Sequence, residues 1–273
     1  MIVFPNCKIN LGLSIIAKRA DGYHELDTVF YPVSLTDILE VITNNNPLID
    51  IEFTSSGIAI PGDHTQNLCV KAYHLLKNDF PSLPHIKMHL HKNIPMGAGL
   101  GGGSSDGTAV LKLLNQQYNL SLNNNQLVNY ASKLGSDCAF FVYDTPCHAK
   151  GRGEILQNTH CDLSNYQLVL IHPSIHVSTA WAFSQLHPHH KSKSILEIVN
   201  GPIADWKNEL VNDFEAPIIS AYPIIGELKQ MLYQKGAIYA SMTGSGSSLF
   251  GIFPKNPKFI KQMFGDEFRV DII

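Results

Sequence analysis

The chain has 273 residues, is 44% hydrophobic and carries a formal net charge of −3. That balance supplies no basic face for nucleic acid, so any attraction for an anionic ligand has to be local. No run approaches the roughly 18 apolar residues of a membrane span, and five cysteines, at 7, 69, 138, 147 and 161, form no C-x-x-C pair, which suits a reducing compartment better than a disulfide framework.

In chain order, the opening Met1 to Pro5 is too short for the apolar stretch of a secretory signal, so a soluble, cytoplasmic protein is expected. In Lys8-Ile9-Asn10-Leu11-Gly12-Leu13 the apolar residues fall on one face of a strand, and Lys8 and Asn10 share the other. Lys8 alone reads most simply as a half-solvated strand lysine. Arg19-Ala20-Asp21-Gly22-Tyr23-His24 reads as a tight turn followed by two side chains able to stack on, or hydrogen-bond, a planar ligand. Segments 36–42 and 48–53 read as further strands, with a loop at 43–46. Asn67 precedes a helix pattern over Leu68 to Lys77.

Ile86, Met88 and Leu90 alternate with Lys87, His89 and His91 in the period of a half-buried strand ending at Pro95. Beyond it, five glycines occupy seven positions from Gly97 to Gly103. Glycine costs the most backbone entropy to order, so such a run between patterned elements implies an unusual bend or a close approach. Ser104 or Ser105 is placed to cap the helix that follows, whose Val110, Leu111, Leu114 and Tyr118 recur at helical spacing. Strand, glycine loop and helix N-terminus in that order suit an anion with several oxygens.

Three known signatures fail on this loop. A Walker A loop requires Lys after the last glycine, and Ser104 stands there. Gly97, Gly99 and Gly102 satisfy G-x-G-x-x-G, but a dinucleotide site wants an acidic residue about 20 positions on, and none occurs between Asp106 and Asp137. Gly103, Ser105 and Gly107 spell G-x-S-x-G without the apolar strand that a nucleophile elbow needs before the serine.

Leu127, Val128, Ala131 and Leu134 mark another helix that stops at Gly135, after a loop at 121–125. Asp137 then enters the apolar run Cys138 to Val142, either as a cap for the next helix, the simpler reading in isolation, or as a carboxylate in a partly desolvated site. The stretch 145–165 reads as a seam between lobes. A fresh strand begins at Gln167 to Ile171, helices are expected around 178–185, 206–219 and 224–235, and 192–194 reads as a loop. Met242 to Ser248 joins two strand patterns, either as a plain hairpin turn or as a second surface of amides and hydroxyls for phosphate. Thirteen histidines include the local groups His89/His91, His172/His176 and His187/His189/His190, none with an acidic or cysteine partner at zinc-like spacing, so no metal ligands are assigned.

Taken together, Pro5 to Leu11 with Asp21 to His24, then Pro95 to Ser105, Gly135 to Asp137 and Thr243 to Ser247 resemble the successive motifs of the galactokinase, homoserine kinase, mevalonate kinase and phosphomevalonate kinase (GHMP) superfamily. Within it the chain is most similar to the 4-diphosphocytidyl-2-C-methyl-D-erythritol kinases of non-mevalonate isoprenoid synthesis. The resemblance implies an α/β (α+β), two-lobed GHMP kinase fold with mixed sheets and helices and with substrate held in the cleft between lobes. It implies an N-terminal ATP-binding lobe over 1–155 and a C-terminal lobe over 156–273. The implied activity is phosphorylation by ATP, with Mg²⁺, of the 2-hydroxyl of the cytidine-diphosphate alcohol.

By the same resemblance Pro95, Met96, Gly97, Ala98, Gly99, Leu100, Gly101, Gly102, Gly103, Ser104 and Ser105 wrap the ATP phosphates, with Ser104 and Ser105 near the Mg²⁺-bound oxygens. Asp137 accepts the hydroxyl proton beside Lys8, and Asn10 lies near that hydroxyl. Tyr23 and His24 contact the cytosine, Phe183 stacks on its other face, and Asn67 lies near the adenine. Cys7 and Gly107-Thr108 depart from the family's usual alanines without touching a chemical role. The implied partner is the small-molecule substrate alone, with no nucleic acid, membrane or obligate protein partner. Rival readings are a GHMP kinase for another alcohol, a dinucleotide-dependent reductase, and a non-catalytic nucleotide-binding module.

Overall fold

The computed structural model describes every residue except Pro47, His187, His189, His190, 256–263 and Asp266. The strands are β1 (Ile2–Val3), β2 (Asn6–Lys18), β3 (His24–Thr36), β4 (Ile38–Thr43), β5 (Ile51–Gly57), β6 (Ile86–Lys92), β7 (Cys147–Gly151), β8 (Ile155–Asn158), β9 (Tyr166–His172), β10 (Tyr239–Met242), β11 (Leu249–Pro254) and β12 (Arg269–Ile272). The α-helices are α1 (Leu68–Asp79), α2 (Gly102–Gln117), α3 (Asn124–Leu134), α4 (Phe140–Tyr143), α5 (Thr179–Ser184), α6 (Ile195–Val199), α7 (Trp206–Glu209), α8 (Glu215–Ala221) and α9 (Pro223–Gln234).

They group into two compact units whose segments alternate along the chain. The first contains Met1–Cys7, Ser34–Met96 and Gly101–Thr145, and the second Lys8–Val33, Gly97–Leu100 and Pro146–Ile273. The first unit carries a sheet of order β1-β4-β6-β5, in which β5 runs parallel to β6 and the other pairs are antiparallel. In β6, Ile86, Met88 and Leu90 are buried while Lys87 and His91 are exposed, the expected alternation of a sheet with one covered face. The covered side meets Val110, Leu111 and Leu114 of α2, Ala72, Tyr73 and Leu76 of α1 and Leu127 and Ala131 of α3, all buried. Each of the valines and leucines among them contributes about 1.5–3 kcal/mol on leaving water.

The second unit contains the antiparallel sheet β10-β11-β9-β12 and most of the sheet β2-β3-β7-β8. Val169 and Ile171 of β9 and Leu249 and Phe253 of β11 pack with Ile225, Leu228 and Leu232 of α9 and with Phe214 and Ile218.

Several expectations are corrected here. Helix α2 starts at Gly102 rather than after a serine cap: Gly101 is its N-cap at φ +69° and no side chain caps it. Glycine tolerates that left-handed conformation, so the loop glycines themselves begin the helix. Helix α3 starts inside the stretch read as a loop, through a capping box between Asn123 and Gln126. The helix expected over 206–219 is two, broken where Leu13 and Asn212 form a parallel bridge. A 13-residue strand, β3, occupies a stretch not read as a strand. The Met242 to Ser248 segment is a hairpin turn, one of its two expected forms, with Met242 opposite Leu249. Gly107 also has a packing reason, because a Cβ there would stand 2.9 Å from Leu68 Cβ where α1 and α2 approach.

Candidate active site

The glycine loop is held from behind by its carbonyls. Lys8 N–H donates to Leu100 O at 2.9 Å, Ser248 N–H donates to Ala98 O at 3.3 Å, and the Thr243 hydroxyl lies 3.1 Å from Gly99 O. In a trans peptide the carbonyl and the following N–H point opposite ways. Three successive carbonyls held by these partners therefore turn the N–H groups of Gly99, Leu100 and Gly101 away from them. Gly97, Gly99 and Gly101 all have positive φ, alternating with Ala98 and Leu100, which do not. A Cβ on Gly99 would lie 2.0 Å from Thr243 O, so the seat admits no side chain there. Next in the chain comes α2, of the first unit, a helix of 16 residues with free N–H groups and a positive end at its own N-terminus.

Lys8 is corrected from half-solvated to buried, at 3% exposure. Its Nζ donates to Asn10 Oδ1 at 2.6 Å and lies 4.9 Å from the Phe30 ring centroid. Asn10 is fixed in turn: its N–H donates to Thr243 Oγ1 and its Nδ2 to Thr28 Oγ1, both at 3.0 Å. The hairpin turn, the loop and the lysine strand of the second unit thus share one hydroxyl, that of Thr243.

Asp137 is not a helix cap. Helix α4 begins at Phe140 after Ala139, with no side-chain cap, and Asp137 sits half-buried in the turn before it. Within the first unit that turn is tied to the start of α2, because the Thr108 hydroxyl lies 2.9 Å from Ser104 O and 3.0 Å from Cys138 O. Asn67 is the N-cap of α1, its Oδ1 accepting from Cys69 N–H at 2.9 Å, as expected. Met96 is exposed, and Ser105 is buried at 2%.

Near the start of β3, His24 and Phe183 stack directly on each other, with ring centroids 4.8 Å apart and planes at 23°. For these two rings to take opposite faces of one base, one of them has to swing away. Burial, with the Lys18 charge adding to it, lowers the His24 pKa. Tyr23 is 55% exposed, with the Arg152 guanidinium over its ring.

A buried ionic cluster went unread in the sequence because its members are 55 and 14 positions apart. Lys92 Nζ donates to Asp37 and, at 2.7 Å, to Asp106. Asp37 Oδ1 accepts the N–H groups of Asn93 and Ile94 at 2.5 and 2.7 Å, which secures the approach to the loop. Burial pushes the Asp106 carboxyl up to about 7, reinforced by Asp37 and opposed by Lys92. Burial works against the Lys92 ammonium, but its two carboxylates raise its pKa above the ordinary value. Among the described residues no group of three or more His, Cys, Asp or Glu stands ready to hold a metal, and His187, His189 and His190 lie outside them. No helix of the described residues is long and apolar enough to cross a membrane.

Comparison with known proteins decides the family. Residues 67–145 match the family described as GHMP kinases N terminal domain, and 196–270 match GHMP kinases C terminal. A 4-diphosphocytidyl-2-C-methyl-D-erythritol kinase of Bacteroides fragilis is 50% identical over 264 residues, covering 97% of this chain and 96% of the relative. That of Bacteroides thetaiotaomicron is 51% identical over 255 residues, 93% of this chain and 92% of its own. The chain belongs to the 4-diphosphocytidyl-2-C-methyl-D-erythritol kinase family.

A crystal structure of 4-(cytidine 5'-diphospho)-2C-methyl-D-erythritol kinase superposes with a TM-score of 0.83 at 29% identity, over all of this chain and 98% of that one. The fold is thus the GHMP kinase fold that the motifs implied, and membership of this kinase family carries ATP use with it.

Proposed function

We propose that this member of the diphosphocytidyl-methylerythritol kinase family transfers the γ-phosphoryl group of ATP to the 2-hydroxyl of 4-diphosphocytidyl-2-C-methyl-D-erythritol. The observation that carries the proposal is the seat of the glycine loop, where three consecutive carbonyls are held by Ser248, Thr243 and Lys8, so that the N–H groups that follow them point away from those partners. Phosphoryl transfer asks little covalent chemistry of a protein and mainly needs the phosphates held, their charge offset and the attacking oxygen placed. The loop from Pro95 to Ser105 supplies the first two.

Asp137 takes the proton of the acceptor hydroxyl as its oxygen bonds to the γ-phosphorus and the bond from that phosphorus to the leaving ADP oxygen breaks. Lys8, oriented by Asn10, supplies positive charge to the same step. Asn67 lies by the adenine, and Tyr23, His24 and Phe183 take the cytosine ring. Magnesium is a hard cation held largely by phosphate oxygens and water, and the hydroxyls of Ser104 and Ser105, in the first turn of α2, are donors of the matching kind. Bound there, it would offset charge on the triphosphate. A cytoplasmic setting suits five cysteines, 7, 69, 138, 147 and 161, without a C-x-x-C pair, the first four of them buried.

The test is transfer of label from γ-labelled ATP and Mg²⁺ to a panel of diphosphocytidyl-methylerythritol, mevalonate, homoserine and galactose. Label is expected on the cytidyl compound. Preferential labelling of another alcohol would reassign the acceptor, and labelling of none would refute the kinase reading.

A further inference from the structure

Although Tyr23 is 55% exposed, its ring is backed on one face: the Arg152 guanidinium carbon lies 4.8 Å from the ring centroid, within cation–π range. Two turns, bound to one another, deliver that contact, and both belong to the second unit. In the turn between β2 and β3, Arg19 N–H donates to Tyr23 O at 2.8 Å, and Tyr23 N–H donates to Asp21 Oδ1 at 3.1 Å. Arg19 also reaches Asp21 at 3.1 Å and Glu25 at 2.9 Å. The other Glu25 oxygen accepts Gly151 N–H at 3.0 Å, which joins this turn to the one between β7 and β8. There Glu154 accepts the N–H of Arg152 at 2.5 Å and stands 3.9 Å from its Nε. The guanidinium is thus aimed at the ring by a chain of named bonds.

We propose that Arg152 is a positioning residue for the base of the acceptor, holding the Tyr23 ring from behind so that its opposite face is presented to the cytosine. The proposal rests on the reading of Tyr23 as a base contact. An exposed tyrosine without such a brace loses rotamer freedom when a ligand stacks on it, and that ordering weakens binding. A ring already held flat by a planar cation has lost most of that freedom beforehand. Lysine keeps the charge but not the plane, so it should serve only in part.

Steady-state kinetics of the full chain test this with Arg152→Gln, Arg152→Lys, Tyr23→Ala and the double variant Arg152→Gln/Tyr23→Ala. Arg152→Gln is expected to raise KM for the cytidine-diphosphate alcohol about three- to tenfold, the scale of an exposed cation–π contact together with the ordering of one side chain. Values of kcat and of KM for ATP should stay within about twofold, Arg152→Lys should recover part of the loss, and the double variant should match Tyr23→Ala alone. If Arg152→Gln leaves the acceptor KM unchanged while Tyr23→Ala raises it, the proposal fails and the base contact stands. Should the Arg152 effect persist undiminished in the Tyr23→Ala background, the guanidinium acts on the ligand directly and the positioning role is overturned. A Tyr23→Ala enzyme with normal acceptor KM removes the base contact itself and the proposal with it.

Discussion

Lys8 and Asp137 are predicted to matter for turnover, and their surroundings say how each would fail. Lys8 is buried at 3% exposure and its ammonium donates to Asn10 Oδ1, so Lys8→Ala removes a buried charge-assisted hydrogen bond as well as the charge, leaving Asn10 Oδ1 with the Thr243 hydroxyl 3.3 Å away. Its kcat is expected to fall at least about 10²-fold, with KM for ATP shifting only a few-fold. A loss confined to ATP affinity, read from initial rates across ATP concentrations, would make Lys8 a nucleotide-binding residue instead. Asp137 is half-buried in a turn, so Asp137→Ala should fold normally. It should lower kcat by roughly 10²–10⁴, the usual scale for a lost general base, and leave nucleotide affinity nearly unchanged. Near-normal turnover in that variant would end its assigned role.

The glycine loop suits the phosphate role proposed for it as an element, because the carbonyls of Ala98, Gly99 and Leu100 are tied down by Ser248, Thr243 and Lys8. Gly99 is the position where that arrangement leaves no space, with φ +77° and backbone 2.0 Å from any added Cβ. Gly99→Ala is therefore expected to unseat the loop and raise KM for ATP tenfold or more, since even the left-handed strain costs about 1 kcal/mol before the clash is counted. Circular dichroism on the same sample separates this from global unfolding, and a Gly99→Ala enzyme with normal ATP kinetics would show that the seat is not needed.

Strand, glycine loop and helix were legible in order from local pattern alone, as was the Asn67 cap, because a period of two, a glycine run and an Asx cap are all short-range signals. The start of α2 was not, since a glycine N-cap in left-handed conformation looks like loop. Strand β3 was hidden by Pro32, which normally argues against the interior of a sheet. The second half of β5, Thr54 to Gly57, was hidden because it is polar and its strand lies at the edge of its sheet. The cluster of Asp37, Lys92 and Asp106 could not be seen at all, because only the fold brings those three together.

At the scale of the molecule that buried cluster should make stability depend on pH. The folded Asp106 carboxyl holds its proton up to about 7, whereas an unfolded chain releases it near the ordinary 3.8. Between these values the native state binds more protons than the unfolded one, so this group's contribution to stability falls as pH rises through the window and levels off above it. Asp27 and Asp271 are depressed, so their effect lies below that window. Asp106→Asn should flatten the decline in unfolding free energy between pH 5 and 8, read from denaturant titrations, by an amount on the order of a few kcal/mol. Parallel pH profiles for the two proteins would contradict the assignment. The family's motifs gave the reaction class from sequence, whereas the support for Tyr23 by Arg152 and for Asn10 by Thr243 came only with tertiary contacts.

The alternation of segments between the two units has a consequence for how the protein can be made or dissected. No single cut of the chain releases one unit intact and free of the other's pieces, so a fragment ending at 145 carries 8–33 and 97–100 without the residues they pack with. During synthesis, β9 must wait for β12 at Arg269–Ile272 before that side of its sheet is paired. The ribosome therefore has to deliver the chain through Ile272 before the ladder of β9 with β12 can close, and a stop before Arg269 leaves a bare strand edge, with its attendant hazard of aggregation.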